Sequence, residues 1–122
     1  MPLPINRPNN EVVLNANFAD SGTASDVYLC VPCKGLIRRI QLALQGTTVT
    51  LANNTFTTFV GTQQVTHDVL IQPFTGSAAG QTATAICSSN NWVEEGQTIR
   101  VHTDGAGSSV TPTSVNVVIA SQ

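Results

Sequence analysis

Between Ser25 and Gln45 the chain runs through two apolar segments broken by Pro32-Cys33-Lys34-Gly35, a pattern that few folds accommodate. In the first segment Val27, Leu29 and Val31 alternate with other residues; the second reads Leu36-Ile37-Arg38-Arg39-Ile40-Gln41-Leu42-Ala43-Leu44. Such alternation is the period of a strand with one buried face. Proline lacks the N–H that a sheet ladder uses, and glycine reaches dihedrals closed to other residues. The break therefore predicts a tight corner joining two neighbouring strands, over which the remaining segments lie.

The rest of the chain repeats the theme. Glu11 to Phe18 sets Val12, Leu14, Ala16 and Phe18 on one side, and Asp20-Ser21-Gly22 turns the chain. Further strands are predicted over Thr47 to Leu51, Thr55 to Val60, Thr66 to Gln72, Gln81 to Ser88, Thr98 to Thr103 and Thr113 to Ala120, with Trp92-Val93 a short addition. Ile99 and Val101 are expected inside and Arg100 and His102 outside. In Thr55 to Val60 the two aromatics fall on opposite faces unless a bulge intervenes. About eight or nine short strands at spacings of roughly 8 to 12 residues, with turn residues between them, predict an all-β sandwich or barrel. The domain is expected over residues 11–122. Residues 1–10, with three prolines and adjacent asparagines, read as an extended arm, either frayed or docking on a partner through Leu3 and Ile5.

Composition narrows the function. A chain of 122 residues forms one domain, and charged residues make up 10% of it, against roughly 25% in ordinary soluble domains. Threonine, asparagine, glutamine, serine and glycine fill the difference, giving a surface that another protein can cover without stranding many ions. A formal net charge of -2 supplies no field for phosphate backbones, so no nucleic-acid partner is expected. No apolar run approaches the roughly 18 residues of a membrane helix, and the start lacks the blocks of a signal peptide. Three cysteines, an odd count, fit a reducing cytosol better than a disulfide scaffold.

Cys30-Val31-Pro32-Cys33 has the spacing of a redox or zinc pair. A strand follows where a redox site needs a helix N-terminus, and Cys87, His67 and His102 are the remaining ligands, on separate strands. Thiols filling apolar positions are expected instead. No serine stands in a nucleophile elbow, and Glu94-Glu95 reads as a solvated turn, so no enzyme, metal or cofactor is expected. Arg38 shares the parity of Leu36, Ile40 and Leu42 and would face inward unless a bulge shifts it, with Arg39 outside; an inward charge is either a snorkelling edge residue or half of an interface ion pair.

Three stretches then carry a resemblance: Val27-Tyr28-Leu29-Cys30-Val31-Pro32-Cys33-Lys34-Gly35-Leu36-Ile37-Arg38-Arg39-Ile40, Phe74-Thr75-Gly76-Ser77-Ala78-Ala79-Gly80, and Val93-Glu94-Glu95-Gly96-Gln97-Thr98-Ile99. Together they resemble the small β-sandwich proteins that decorate, or cement, the heads of tailed bacteriophages. Cys30 and Cys33 stand where aliphatic residues are usual there, and Gln97 where aspartate is common; residues 1–10 have no counterpart. The resemblance implies a single jelly-roll-like β-sandwich. It also implies a homotrimer at capsid threefold positions, bound to the phage major capsid protein on the outer surface of the virion after synthesis in the bacterial host cytoplasm. Leu3, Pro4, Ile5 and Arg7 are then the expected capsid contacts of the arm, and Arg38, Arg39, Arg100 and His102 the expected subunit interface. The alternative is a phage carbohydrate- or receptor-binding module whose end loops hold Asn90, Asn91, Trp92 and Asp104.

Overall fold

The computed structural model describes residues 10–46, 52–73, 78–107 and 110–122. Among them run eleven strands: β1 (Glu11–Phe18), β2 (Ser25–Cys30), β3 (Gly35–Leu44), β4 (Asn54–Val60), β5 (Gln63–Gln64), β6 (Thr66–His67), β7 (Leu70–Gln72), β8 (Thr82–Ser89), β9 (Trp92–Val93), β10 (Thr98–Thr103) and β11 (Thr113–Ser121). They form two antiparallel sheets. The first has the order β1-β11-β3-β8-β6, with β9 beside β3; the second has β2-β10-β4-β5, with β7 beside β4. Leaving out the two-residue strands β5, β6 and β9, the chain visits the sheets as first, second, first, second, second, first, second, first. The resulting orders, β1-β11-β3-β8 and β2-β10-β4-β7, are those of an eight-stranded jelly roll. The strand expected over residues 47–51 and most of the arm lie outside the described residues.

Sequence alternation sets which side of each sheet is buried. Ile40 and Leu42 of β3, Ala85 of β8 and Val115, Val117 and Ile119 of β11 meet Leu29, Phe56, Ile99 and Val101 from the second sheet. Phe18 and Phe56 contact edge to face, with centroids 5.6 Å apart. Each such side chain contributes roughly 1.5–3 kcal/mol by leaving water.

The corner after β2 differs from expectation. β2 pairs with β10, and β3 pairs with β11, β8 and β9, so the two apolar segments lie in different sheets and are not neighbours in one. The break itself forces the crossing. Val31 exchanges backbone hydrogen bonds with the β9–β10 turn, donating to Gln97 O at 2.9 Å and accepting from Gly96 N at 2.9 Å, and the next residue, Pro32, has no N–H to extend a ladder. Gly35 is needed for space rather than for its dihedrals: a Cβ there would sit 2.1 Å from Ala120 O of β11. The stretch from Thr66 to Gln72 likewise divides. β6 joins β8 in the first sheet and β7 joins β4 in the second, so this segment is a second crossing, with Leu70 turned into the core and Val69 to solvent.

Polar side chains close the end of the sandwich opposite this corner. Gln72 Nε2 donates to Thr113 Oγ1 at 2.6 Å while its Oε1 accepts from Asn54 Nδ2 at 3.0 Å and from Ser21 Oγ at 2.8 Å. Asn54 Oδ1 accepts from Gly107 N at 2.6 Å, and Thr103 Oγ1 donates to Ser21 O at 2.7 Å. Ser21, Asn54, Gln72, Thr103 and Thr113 are buried, and each bond answers a group that would otherwise be desolvated without a partner.

Candidate functional site

The outer faces of the two sheets carry the side chains available to a partner. On the first sheet, β3 contains a bulge: Val118 of β11 pairs with Arg39 and Ile119 with Ile37, which leaves Arg38 as the extra residue. Ile37 and Ile40 therefore both turn inward, and Arg38 is exposed, contrary to the inward position that its parity implied. Arg39 reaches across β11 to Glu11 of β1, its Nη1 and Nη2 lying 3.1 and 3.3 Å from the two carboxylate oxygens. The pair is thus within the chain. The bond from Arg39 holds the Glu11 carboxyl below its ordinary pKa, against the opposing effect of burial. Val118, on the same outward face between Val13 and Arg39, is nevertheless buried.

Farther along this face the surface is neutral. Asn15 Nδ2 bonds to Ser114 Oγ at 3.0 Å and Asn116 Oδ1 at 2.9 Å, and Asn17 Nδ2 reaches Asn15 Oδ1 at 3.5 Å. Gln41, Thr82, Thr84, Ser114 and Asn116 line a shallow concavity of about 200 Å³. Ile86, 54% exposed, stands beside this polar strip and across from Arg39.

The second sheet presents a different chemistry. Arg100 and His102 point outward from β10 as expected, and both meet Asp26 of β2: His102 Nδ1 lies 2.8 Å from Asp26 Oδ1 and Arg100 Nη1 3.5 Å from the same oxygen. Since a carboxylate only accepts, the Nδ1 of His102 carries the hydrogen. The Arg100 guanidinium stacks 4.1 Å from the Phe59 ring centroid, so the aromatics of β4 do face both ways. Tyr28, in register with Arg100 on the neighbouring strand, is 64% exposed. It escaped the sequence reading, although its place on the outward parity between Val27 and Leu29 was a usable signal.

The four basic side chains expected at the subunit interface are therefore split, Arg38 and Arg39 on the first sheet and Arg100 and His102 on the second. Leu3, Pro4, Ile5 and Arg7 lie outside the described residues. The end-loop group also divides. Trp92 is 45% exposed and gives its Nε1–H to Glu94, whereas Asp104 sits at the far end of β10, accepting from the backbone N–H of Thr55 at 2.9 Å. Asn91 is occupied by Ile37 O at 2.7 Å.

His67 faces a groove of about 450 Å³ bordered by Thr55, Thr57, Asp68, Val69 and Asn90. Its Nδ1 donates to Asp68 O at 2.6 Å, which leaves Nε2, 3.1 Å from Thr58 Oγ1, to accept in the neutral ring. Both nitrogens are engaged, so the ring has no lone pair directed at a substrate. Among the described residues no three His, Cys, Asp or Glu side chains are grouped to hold a metal. The thiols are free; Cys33 and Cys87 are half-buried against the core as expected, but Cys30 is exposed on the outward side of β2. Burial, with the Asp68 charge second, pushes the Cys87 thiol up to about 11. No protein-family model matches the chain, and neither does any curated protein sequence.

Proposed function

We propose that this chain is a capsid decoration protein of a tailed bacteriophage, binding as a homotrimer over contacts between major capsid subunits on the head exterior. The observation that carries the reading is the pair of outer faces. One is a neutral ladder of amides and hydroxyls, cheap to desolvate beside charged surface; the other is an aromatic–guanidinium patch of the kind that anchors protein contacts. The sequence resemblance supplies the phage setting, and the jelly roll is an architecture that virus shells use among other hosts. The division of the basic residues between opposite faces also suits a ring. In a closed threefold ring each copy offers two different patches, whereas a twofold dimer uses one patch twice.

The test is co-sedimentation of the purified protein with heads assembled from the major capsid protein encoded near its gene. Saturable binding at three copies per threefold position is expected; no binding to intact heads would overturn the proposal. A sugar-binding module is the second reading, favoured by the exposure of Trp92 beside Asn90. A glycan screen with hits abolished by Trp92→Ala would move the conclusion there.

A further inference from the structure

Among the described residues the first sheet ends in an unpaired edge. β1 pairs on one side with β11, and the Ser121 N–H donates to Asn10 O at 2.8 Å, which makes that rung a hydrogen-bonded one. Such rungs alternate in antiparallel ladders. Val12, Leu14, Ala16 and Phe18 therefore direct their backbone groups to β11, and Glu11, Val13, Asn15 and Asn17 direct theirs outward. Edge strands are ordinarily blunted by proline, lysine, inward charge or a bulge, and β1 has none of these over eight residues.

Residues 1–9, which lead into this strand, have the complementary pattern. All three prolines occupy even positions, Pro2, Pro4 and Pro8. In an extended strand, backbone groups of one parity point to one side, so Leu3, Ile5, Arg7 and Asn9 keep a full set of donors and acceptors toward a single edge. The other edge keeps Asn6 as its one donor among the even positions from 2 to 8 and is a poor template for a further strand. Seven residues from Leu3 to Asn9 extend about 23 Å and β1 about 26 Å, at roughly 3.3 Å per residue.

We infer that residues 3–9 of one copy add as a strand to the β1 edge of a second copy, odd positions pairing with odd positions. Folding back onto the same copy with that parity uses an odd-numbered hairpin loop of at least three residues ending at Asn10, which leaves no more than Leu3 to Arg7 to pair, whereas the edge of a second copy takes the whole of residues 3–9. Donor and acceptor patches differ, so the exchange closes either reciprocally between two copies or head-to-tail around a ring. It needs no capsid, and its failure is separable from failure of the decoration reading.

The experiment compares two proline substitutions by native mass spectrometry and sedimentation across a concentration series, without phage heads. Ile5→Pro removes a donor that faces the acceptor edge; Asn6→Pro removes one that faces away. The wild type is expected to oligomerise, Ile5→Pro to raise the dissociation constant at least tenfold, and Asn6→Pro to leave it within twofold. A monomeric wild type, equal losses in both variants, or loss in neither overturns the inference. Thermal melts taken below the dissociation constant, where all three proteins are monomers, should coincide, since both sites precede β1; a lowered melt in Ile5→Pro alone under those conditions would mean that the segment supports its own copy, and would equally overturn it.

Discussion

At the scale of single residues, the corner glycine and the Glu11–Arg39 pair carry opposite kinds of information. Gly35 is a packing constraint: Gly35→Ala drives a methyl into the β11 backbone at Ala120, and overpacking of this kind costs roughly 1–3 kcal/mol. A urea midpoint lower by that free energy divided by the m-value is expected, and an unchanged midpoint would show that the corner relaxes freely. The Glu11 carboxyl is an electrostatic constraint. Its pKa is lowered in the fold, so its stabilising effect is complete above the ordinary carboxylate range and is lost as pH falls through the depressed value. The stability gap between wild type and Glu11→Gln should therefore be widest near neutrality and close in acid. A gap constant with pH would remove Arg39 as the cause. The thiols give a third outcome. With its pKa near 11, Cys87 is almost wholly protonated at pH 8, so a thiol reagent should label exposed Cys30 in the native protein and reach Cys87 on unfolding.

At the scale of elements, β1, β8, β10 and β11 were legible because each obeys a period of two with one face uniformly apolar. The bulge in β3 was legible only as a conflict: Arg38 on the apolar parity demanded either burial of a charge or an extra residue, and the extra residue is the cheaper solution. What local pattern could not reveal was the assignment of strands to sheets. A corner of four residues reads the same whether it joins neighbours or crosses the core; the choice is made by Val31 bonding to Gln97 and by β11 passing over Gly35, contacts far apart in sequence. The closed end was invisible for the same reason. Ser21, Asn54, Gln72 and Thr113 look like ordinary turn and strand polars until four loops converge. Gln72→Leu should leave Asn54 Nδ2 without its acceptor, while Ser21 Oγ keeps Thr111 O at 2.9 Å, and cost about 1–3 kcal/mol, the penalty of one stranded buried group. A melting temperature equal to wild type would mean that the end repacks around other acceptors.

At the scale of the whole molecule, the two outer faces of the sandwich point in opposite directions and cannot touch the same flat partner surface at once. If three copies close into a ring, the aromatic patch around Tyr28 and Arg100 must meet a different patch on the next copy. The strip beside Ile86 is the complementary choice, with an exposed branched side chain for the tyrosine ring and neutral polar groups on the side away from Arg38 and Arg39. Truncating a tyrosine anchor typically costs about 2 kcal/mol in a subunit contact, and an aliphatic side chain on its rim less. Tyr28→Ala and Ile86→Ala should each weaken the trimer while leaving the monomer fold intact, since both side chains point away from the core. Because the two substitutions injure one shared contact, the double variant should lose less than the sum of the singles. Additive losses would place the residues in separate contacts. A loss confined to Tyr28→Ala would make the second-sheet face meet its own copy around a twofold axis, which a three-membered ring excludes.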